Sequence, residues 1–354
     1  MKQIINTKIA DSLYKEGFLY ASYGAYERRN KGYKVFKVPL NTGFECPNWD
    51  GRLSTEGCTF CPSQARQFTY ESFRHVMDKG YKEQIAHQVK HYQDMGAGEK
   101  GFVYIAFATN TYAPIEVQKK LLKDCVAHKD IIGFTLGTRP DCVPDEILEL
   151  LEEYVKKDYD VWLELGQQTT HFHTLKEINR QHGLAELIRV VDEAHRRKIK
   201  VLVFVILGLP GETPEEMIET ARILSALGVD AVKIYPLVVM KNTQLAEQYK
   251  KGKYKPISEE DYVQRVCDFL EHLSPHVIIQ RLSKDCGLEV KLAPDWDTYR
   301  LKVMPKIEKE LKRRGTRQGS KFKLGLGMDE LKPVETKDKT GVYKDLKKQR
   351  GKKC

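Results

Sequence analysis

Three closely spaced cysteines are the residues of this sequence whose types and spacing most clearly suggest chemistry. Cys46, Cys58 and Cys61 occur in the segment CPNWDGRLSTEGCTFC, just after an apolar run at 34–40 that is typical of a strand. Three thiolates are one short of the four ligands that close a zinc or iron–sulfur site. If they bind a four-iron cluster, one iron has no protein ligand and can bind a substrate or cofactor. The alternative is a structural zinc site that is completed by His75 or another distant group.

The elements that would position these cysteines are predicted from the hydrophobic pattern. Short apolar runs predict strands, and two of them, 103–107 and 201–207, are apolar nearly throughout, as expected of parallel strands covered on both faces. Between the runs the period becomes helical. Six βα repeats with right-handed crossovers curl into a partial barrel, although the pattern leaves an open doubly wound sheet as an alternative. The predicted strands are 33–40, 101–108, 133–138, 160–166, 200–208 and 231–237.

Polar and glycine-rich segments follow each of the predicted strands. In parallel α/β barrels the active site lies at the carboxyl ends of the strands. We therefore expect the six segments to converge on one rim of the barrel. In chain order they are Cys46, 109–111, 138–141, 164–168, 208–212 and 235–236.

Composition and charge indicate a globular protein with one strongly basic end. The chain has 354 residues, 41% of them hydrophobic, and it contains no apolar run that is long enough for a membrane span. Residues 305–354 contain 17 Lys and Arg but only 7 Asp and Glu, whereas residues 1–304 contain 42 of each sign. The net charge of +10 therefore belongs to the last fifty residues. Such an end is typical either of a solvated, partly disordered tail or of a nucleic-acid-binding extension.

Cysteine usage and the N-terminal segment point to the cytoplasm. Eight cysteines at irregular spacing do not form the pattern of a secreted disulfide scaffold, and the polar N-terminal segment has no signal-peptide pattern. We interpret four of the cysteines outside the cluster as ordinary thiols, and the histidines of the segment TTHFHT as surface or hydrogen-bonded residues. The thiols are Cys125, Cys142, Cys267 and Cys286, and the histidines are His171 and His173.

Seven segments in chain order carry a family resemblance. They are the cysteine segment with CTFC, then AFATNTYAP at 106–114, GTRPD at 137–141, LELGQQ at 163–168, NRQHG at 179–183, ILGLPGET at 206–213 and KIYPL at 233–237. Together they resemble the radical S-adenosylmethionine (SAM) enzymes. Within that superfamily, the gap of eleven residues between the first two cysteines resembles the YhcC/YtqA-like (MnmL-type) branch, which is related to the catalytic subunit of Elongator. The resemblance extends from about residue 20 to about residue 315.

The resemblance implies a fold and a domain order. It favours the partial (β/α)6 TIM-like radical SAM barrel over the open sheet, with a C-terminal helical and basic extension. The expected order is an N-terminal extension at 1–32, the barrel core at 33–240, a segment that covers the barrel at 241–311, and a basic, partly disordered tail at 312–354.

The resemblance also implies two cofactors. The three cysteines would bind a [4Fe–4S] cluster, and the unique iron would bind the amino and carboxylate groups of SAM. One electron from a low-potential donor, such as flavodoxin or ferredoxin, would cleave SAM into methionine and a 5′-deoxyadenosyl radical.

Six residues match positions at which the family contacts SAM. Phe60 would pack near the adenine, and Gly208 would let the backbone approach it closely. Glu164 would bind the ribose hydroxyls, because a lone carboxylate in an apolar strand is costly to bury unpaired; an ion pair with Arg139 or Arg180 is the alternative. The other expected contacts are Thr109 and Asn110, at the methionine end, and Gln168.

The substrate implied by the resemblance is tRNA. Related enzymes modify the C5 side chain of the wobble uridine, and the reaction expected here trims carboxymethylaminomethyl to aminomethyl. One alternative is a radical SAM enzyme that acts on a small molecule or peptide. Another is a non-catalytic, zinc-stabilised RNA-binding protein. No membrane partner is expected. The predicted substrate contacts are Arg139, Arg180, Arg313, Arg314, Arg317, Lys321 and Lys323.

Overall fold

A curled sheet of parallel strands is the centre of the structure, which is a computed structural model. It describes residues 3–62, 80–105, 108–287 and 289–323. The chain divides into two units, Met1–Phe322 and Lys323–Cys354. Lys323 is the one described residue of the second unit, and every element named below belongs to the first.

The main sheet has seven strands, each hydrogen-bonded in parallel to its neighbours. Their order across the sheet is β1-β2-β3-β4-β5-β6-β8, so consecutive strands are neighbours throughout the βα repeats. A short antiparallel pair, β7 with β9, lies outside it. The strands are β1 (Val35–Pro39), β2 (Lys100–Ile105), β3 (Ile131–Thr138), β4 (Asp160–Gln168), β5 (Lys200–Leu207), β6 (Ala231–Pro236), β7 (Val239–Met240), β8 (Ile278–Arg281) and β9 (Lys291–Ala293).

Helices connect the strands and pack on the outer face of the sheet. In the described ranges, no helix is long and apolar enough to cross a bilayer. The helices are α1 (Thr7–Lys15), α2 (Tyr23–Lys31), α3 (Tyr81–Asp94), α4 (Ile115–Cys125), α5 (Asp145–Val155), α6 (Phe172–Glu177), α7 (Leu184–Arg196), α8 (Pro214–Leu227), α9 (Gln244–Lys250), α10 (Glu259–His272) and α11 (Arg300–Arg314).

The predicted curled parallel sheet is confirmed, with one additional strand. All six predicted strands are present, and their ends differ from the predicted ends by up to three residues. The sequence prediction missed β8, which follows the long α10 and pairs in parallel with β6 at the edge of the sheet. Its four residues are too few to show a period, so the apolar pattern gave no separate signal for it.

The first two helices cover the amino-terminal end of the curled sheet. Phe102, Trp162 and Leu202 are buried side chains near the start of β2, β4 and β5. They form one apolar cluster with Leu13 of α1 and Tyr26 of α2. Because this end is filled by side chains, the interior of the half-barrel is left for function toward the carboxyl ends of the strands.

Candidate functional site

The cysteine loop, residues 46–61, is tied to the segment between α6 and α7. Asn48 is fully buried, and its Nδ2 donates to the carbonyl oxygen of Asn179 at 2.7 Å. The same Nδ2 lies 3.4 Å from the sulfur of Cys58. The backbone amide of Thr59 donates to the carbonyl of Ile178 at 3.1 Å. These contacts fix Cys58 against the barrel.

Gly57 is required where the cysteine loop turns. Its φ is +70°, which is left-handed backbone that favours glycine. A Cβ at this position would lie 2.2 Å from ring atoms of Trp49. The carbonyl of Gly57 accepts a hydrogen bond from Asn179 Nδ2 at 2.7 Å. The glycine before CTFC therefore allows the loop, the indole and Asn179 to pack together.

Arg180 places a positive charge beside the cysteines. Its side chain is buried, its Nε donates to the carbonyl of Gly166 in β4 at 3.1 Å, and its Nη1 lies 3.5 Å from Cys58 Sγ. Burial and the nearby Cys58 and Cys46 raise the pKa of Cys61 to about 12. Cys61 lies near Cys58 and Cys46, and two buried donors are directed at the sulfur of Cys58. This arrangement fits a bound metal cluster, since coordination deprotonates thiols outright.

The zinc alternative predicts a compact set of ligands around one ion. Among the residues that the structure describes, which include Cys46, Cys58 and Cys61, no three His, Cys, Asp or Glu side chains are grouped as ligands of a single metal ion. His75, the predicted fourth ligand, lies outside the described residues.

A network of buried charges surrounds the arginine beside the cluster. Arg139 makes two hydrogen bonds to Asp141, at 3.0 and 2.8 Å, and its Nη2 donates to the carbonyl of Arg180 at 2.9 Å. Burial, followed by the charge of Arg180, lowers the pKa of His182 to about 3, so this imidazole is neutral at physiological pH. In the described part of the chain, Arg139 Nη1 and His182 Nε2 are buried without a hydrogen-bond partner. The neutral His182 ring donates from Nδ1 to the carbonyl of Gly183, so its Nε2 is an acceptor. A buried donor and a buried acceptor left unpaired at an active-site rim indicate a polar ligand.

Glu164 pairs with a lysine that the sequence analysis did not consider. Lys233 Nζ donates to Glu164 Oε1 and to the hydroxyl of Tyr104. The side chains of Lys233 and Glu164 are 3% and 11% exposed. The alternative ion pair of Glu164 with Arg139 or Arg180 is therefore wrong, since both arginines bond elsewhere. Glu164 Oε2 is buried with no hydrogen-bond partner among the described residues, so it can accept a ribose hydroxyl.

Two further residues predicted to bind SAM, Thr109 and Asn110, lie in the segment that follows β2. Thr109 and Asn110 are buried. Asn110 Nδ2 donates to the carbonyl of Gly137 at 2.8 Å, and its Oδ1 accepts a hydrogen bond from Thr42 at 2.8 Å. Its side chain therefore joins two strand ends to the loop after β1, and its contact with SAM stays a prediction.

The remaining predicted SAM contacts surround the ends of β4 and β5. Phe60 is half-buried and packs in an apolar cluster with Ile206 of β5. Gly208 has φ +85°, and its carbonyl accepts a hydrogen bond from the Tyr254 hydroxyl at 2.8 Å. Gln168 also has positive φ, and its buried Oε1 has no hydrogen-bond partner among the described residues. These placements agree with an adenosine site, although each contact stays a prediction.

The basic residues at the end of α11 and after it are partly neutralised by the barrel. Arg314 pairs with Asp268 at 2.7 Å, Glu310 at 2.8 Å and Glu271 at 3.3 Å. An RNA contact from Arg314 therefore stays a prediction that requires breaking these pairs. Three other cations of the set keep exposed side chains, although each has a protein contact: Arg313 pairs with Glu310, Lys321 pairs with Glu271, and Arg317 lies 4.5 Å from the centre of the Tyr14 ring. Lys323 is exposed.

Comparison with known proteins identifies the family. Residues 52–224 match the Radical SAM superfamily, and residues 229–313 match the Radical_SAM C-terminal domain. The chain is 46% identical over 317 residues to the uncharacterised protein MJ0486 of Methanocaldococcus jannaschii, covering 89% of this chain and 96% of that protein. This chain belongs to the radical SAM superfamily. It is also 36% identical to YtqA of Bacillus subtilis, over 86% of this chain and 92% of YtqA, which confirms the YhcC/YtqA branch.

More distant relatives include proteins of the Elongator type. A tRNA uridine(34) acetyltransferase of Dehalococcoides mccartyi is 26% identical over 261 residues, which cover 64% of this chain and 56% of that protein. The solved structure of Elp3 from Methanocaldococcus infernus has the same fold, with a TM-score of 0.60 and 19% identity over 80% of this chain and 64% of that chain.

The structure brings together most of the predicted rim and adds three residues to it. Asn48, Asn179 and Lys233 were not predicted as site residues. Asn179 lay within the NRQHG segment and Lys233 within KIYPL, so their positions were marked but their roles were not. A lysine inside an otherwise apolar strand was the available signal for Lys233, because a buried ammonium needs a partner.

Proposed function

We propose that this radical SAM enzyme modifies tRNA, at the C5 side chain of a wobble uridine, and converts carboxymethylaminomethyl to aminomethyl. One observation carries the proposal. Over 261 residues the chain is 26% identical to a protein that is named as a tRNA uridine(34) acetyltransferase. The exposed cations that follow α11 support a phosphate-rich substrate.

The proposed reaction balances without a further oxidant. The carboxymethylaminomethyl nucleoside, SAM and water give the aminomethyl nucleoside, glyoxylate, methionine, 5′-deoxyadenosine and a proton. The nitrogen–carbon bond to the carboxymethyl group breaks, and SAM accepts the two electrons that leave the substrate. The electron that a flavodoxin- or ferredoxin-type donor supplies at the start is returned, so SAM is consumed once in each turnover.

The residues of this chain have distinct tasks in this proposal. Cys46, Cys58 and Cys61 would hold the [4Fe–4S] cluster, which together with SAM would supply the carbon-centred radical. Asn48 and Arg180 direct hydrogen bonds at Cys58 and keep water from its sulfur. The remaining rim contacts would orient SAM: Glu164 at the ribose, Phe60, Gln168 and Gly208 around the adenine, and Thr109 and Asn110 at the methionine end.

The test is an anaerobic turnover assay with cluster-loaded protein, SAM, a reductant and tRNA that carries the carboxymethylaminomethyl side chain. We expect equal amounts of 5′-deoxyadenosine, glyoxylate and aminomethyluridine, measured by mass spectrometry of the digested tRNA. Cys58→Ala should abolish all three products, and tRNA that lacks the side chain should give no glyoxylate. Formation of 5′-deoxyadenosine with no change in any tRNA nucleoside would disprove the tRNA substrate and favour a small-molecule or peptide substrate.

A further inference from the structure

The interior of the half-barrel contains an excess of positive charge. Lys233 of β6 reaches Glu164 of β4 and Tyr104 of β2, strands that are not neighbours in the sheet. A contact between such strands must cross the concave face, so these side chains meet inside the curl. Lys37 of β1 and Arg281 of β8 belong to the same group, which we call the lumen cluster: Lys37, Tyr104, Glu164, Lys233 and Arg281.

Tyr104 lies between the two lysines of the lumen cluster. Lys37 Nζ is 4.6 Å from the centre of the Tyr104 ring, and Lys233 Nζ is 4.8 Å from it. Lys37 Nζ is also 5.5 Å from the centre of the Tyr23 ring. Aromatic faces attract ammonium groups, so the rings hold both lysines in place without neutralising them.

The charges of the lumen cluster do not balance. Lys233 forms an ion pair with Glu164, which is the one carboxylate of the cluster. Arg281 lies 3.8 Å from Asp285, a residue that is also 4.0 Å from Arg300. Lys37 has no ion pair with any carboxylate in the described ranges. Burial, followed by repulsion from Lys233, lowers the pKa of Lys37 to about 7, and the charge of Glu164 opposes this shift. A bound anion would offset this repulsion.

Open space adjoins Lys37. Its side chain lines a cavity of about 290 Å³ together with Tyr23, Glu27 and Phe102, near the start of β1 and β2. Solvent reaches Lys37 through this cavity, from the side opposite the carboxyl ends of the strands. Lys37 is held between aromatic rings and has no ion pair in the described ranges, so its ammonium group is suited to bind a ligand group that enters the half-barrel.

We propose that the lumen cluster binds the carboxylate of the substrate side chain, with Lys37 as its main ligand. This inference rests on the proposed function, and it names the recognised group. Glu164, the predicted ribose ligand, connects the cluster to the SAM site. If the lumen cluster holds the substrate carboxylate, the CH₂ group next to that carboxylate would lie near the SAM ribose. In the proposed reaction a hydrogen atom must be removed from this CH₂ group. SAM has a carboxylate of its own, so the test must separate the two sources.

The test compares two anticodon stem-loop RNAs that differ only at the wobble uridine, which carries carboxymethylaminomethyl in one and aminomethyl in the other. Cluster-loaded wild-type protein should bind the first roughly 10- to 100-fold more tightly, as expected for a charge-assisted contact. Lys37→Met should lose this preference and keep its affinity for the aminomethyl RNA. Lys123→Met removes the same charge from an exposed site on α4 and should keep the preference.

Two outcomes of the RNA comparison would overturn the proposal. One is an equal affinity of wild-type protein for both RNAs. The other is a Lys37→Met protein that binds SAM about 10-fold more weakly but still prefers the carboxylate RNA, which would identify the carboxylate of SAM as the bound anion. Far-ultraviolet circular dichroism checks the fold, and Lys37→Gln serves as a second neutral variant if Lys37→Met is unstable.

A bromide soak tests the anion site without RNA. Crystals of the wild-type protein should show anomalous density for bromide beside Lys37, and crystals of Lys37→Met should not. If bromide binds there but neither stem-loop does, the wobble-uridine function fails and the anion site stands. If the stem-loops bind and are modified but wild-type crystals show no bromide near Lys37, the anion site fails and the function stands.

Discussion

Arg180 and Cys58 are joined by a buried contact of 3.5 Å between a guanidinium nitrogen and the sulfur. The other side of the same guanidinium bonds to the carbonyl of Gly166 in β4. The strand that carries Glu164 therefore also fixes the charge beside the cysteine loop. The position of the positive charge beside the proposed cluster therefore depends on β4, the strand that also carries the proposed ribose ligand.

Removing the Arg180 charge should lower the reduction potential of the bound cluster. Reduction adds negative charge, and a donor that contacts a ligand sulfur stabilises the reduced form more than the oxidised form. Arg180→Gln should therefore shift the potential downward by about 50 mV, which corresponds to about 1.2 kcal/mol for a one-electron couple. The measurement is a redox titration followed by electron paramagnetic resonance.

Arg189→Gln is the matched control for this titration. Arg189 is an arginine of α7 that pairs with Asp145, and its side chain is 43% exposed. This variant should leave the potential within about 10 mV of the wild-type value, since solvent screens a charge at the surface. Equal shifts in both variants would show that the effect is general and not due to the contact with Cys58.

Variants of Glu164 and Lys233 should affect the stability of the protein and its affinity for SAM to different extents. Lys233→Met leaves a buried carboxylate without its cation and should destabilise the apoprotein by about 3–5 kcal/mol. Glu164→Gln should cost less, because burial already lowers the pKa of Lys233 and the ammonium can lose its proton. Urea unfolding measures both changes.

SAM affinity of the same variants tests the ribose contact. Glu164→Gln should weaken SAM binding roughly 10- to 150-fold, as expected when a charge-assisted hydrogen bond of about 1.5–3 kcal/mol is lost. The double variant Glu164→Gln with Lys233→Met should recover part of the stability but none of the affinity. A folded Glu164→Gln protein with wild-type SAM affinity in calorimetry would contradict the assignment.

The order of strands and helices could be predicted from the sequence because each element follows a local hydrophobic period. Apolar runs marked β2 and β5, and the motifs at the strand ends placed Glu164 and Gly208 on one rim. The sequence analysis missed β8 because its four residues are too few to show a period. The place of β8 in the sheet depends on its pairing with β6.

The partners of the site residues could not be predicted in the same way. Lys233 and Tyr104 are 129 positions apart, and they meet only because the sheet curls. Arg180 contacts Cys58 across 122 positions. A sequence pattern shows which residue types follow a strand, but it does not show which of them touch across a barrel. For that reason the alternative considered for Glu164, an ion pair with Arg139 or Arg180, named the wrong cations.

Glu212 should make stability fall as the pH rises. Burial raises the pKa of this carboxyl from its ordinary 4.5 to about 8. Between these values the folded protein binds more protons than the unfolded chain, so stability decreases with rising pH in that range. Glu212→Gln keeps an acceptor for the Thr169 hydroxyl and should stabilise the apoprotein by about 1–3 kcal/mol near pH 9, with little effect near pH 5.

Glu216 provides a control of opposite sign one turn away. A hydrogen bond from the backbone amide of Thr213 lowers the pKa of Glu216, and His173 and His171 add to this effect. Its stabilising contribution is present above the ordinary pKa and is lost in acid. Glu216→Gln should therefore destabilise the protein by about 0.3–1 kcal/mol at neutral pH, since a helix N-terminus favours a negative charge. Chemical denaturation across pH separates the two variants, and parallel pH curves would disprove both assignments.

Salt dependence of tRNA binding should distinguish the exposed cations after α11 from the paired one. Arg313, Arg317, Lys321 and Lys323 have exposed side chains. Each can neutralise one phosphate once Arg313 has left Glu310 and Lys321 has left Glu271. Replacing all four with alanine should flatten the plot of log affinity against log salt by about 0.7 per contact on a single-stranded loop, or about 2.8 in total. Uncoupled SAM cleavage with dithionite should persist, because the cysteine loop is unchanged.

Arg314→Ala is the comparison that makes the salt experiment decisive. Arg314 is shared by three carboxylates, one of which, Glu271, is fully buried. Its loss should destabilise the protein by about 3–5 kcal/mol, because buried charges lose their partner, while the salt slope stays within about 0.3 of the wild-type value. If the salt dependence of tRNA binding is unchanged in the fourfold variant, these four cations do not contact the RNA. The tRNA proposal would then depend on sequence similarity alone.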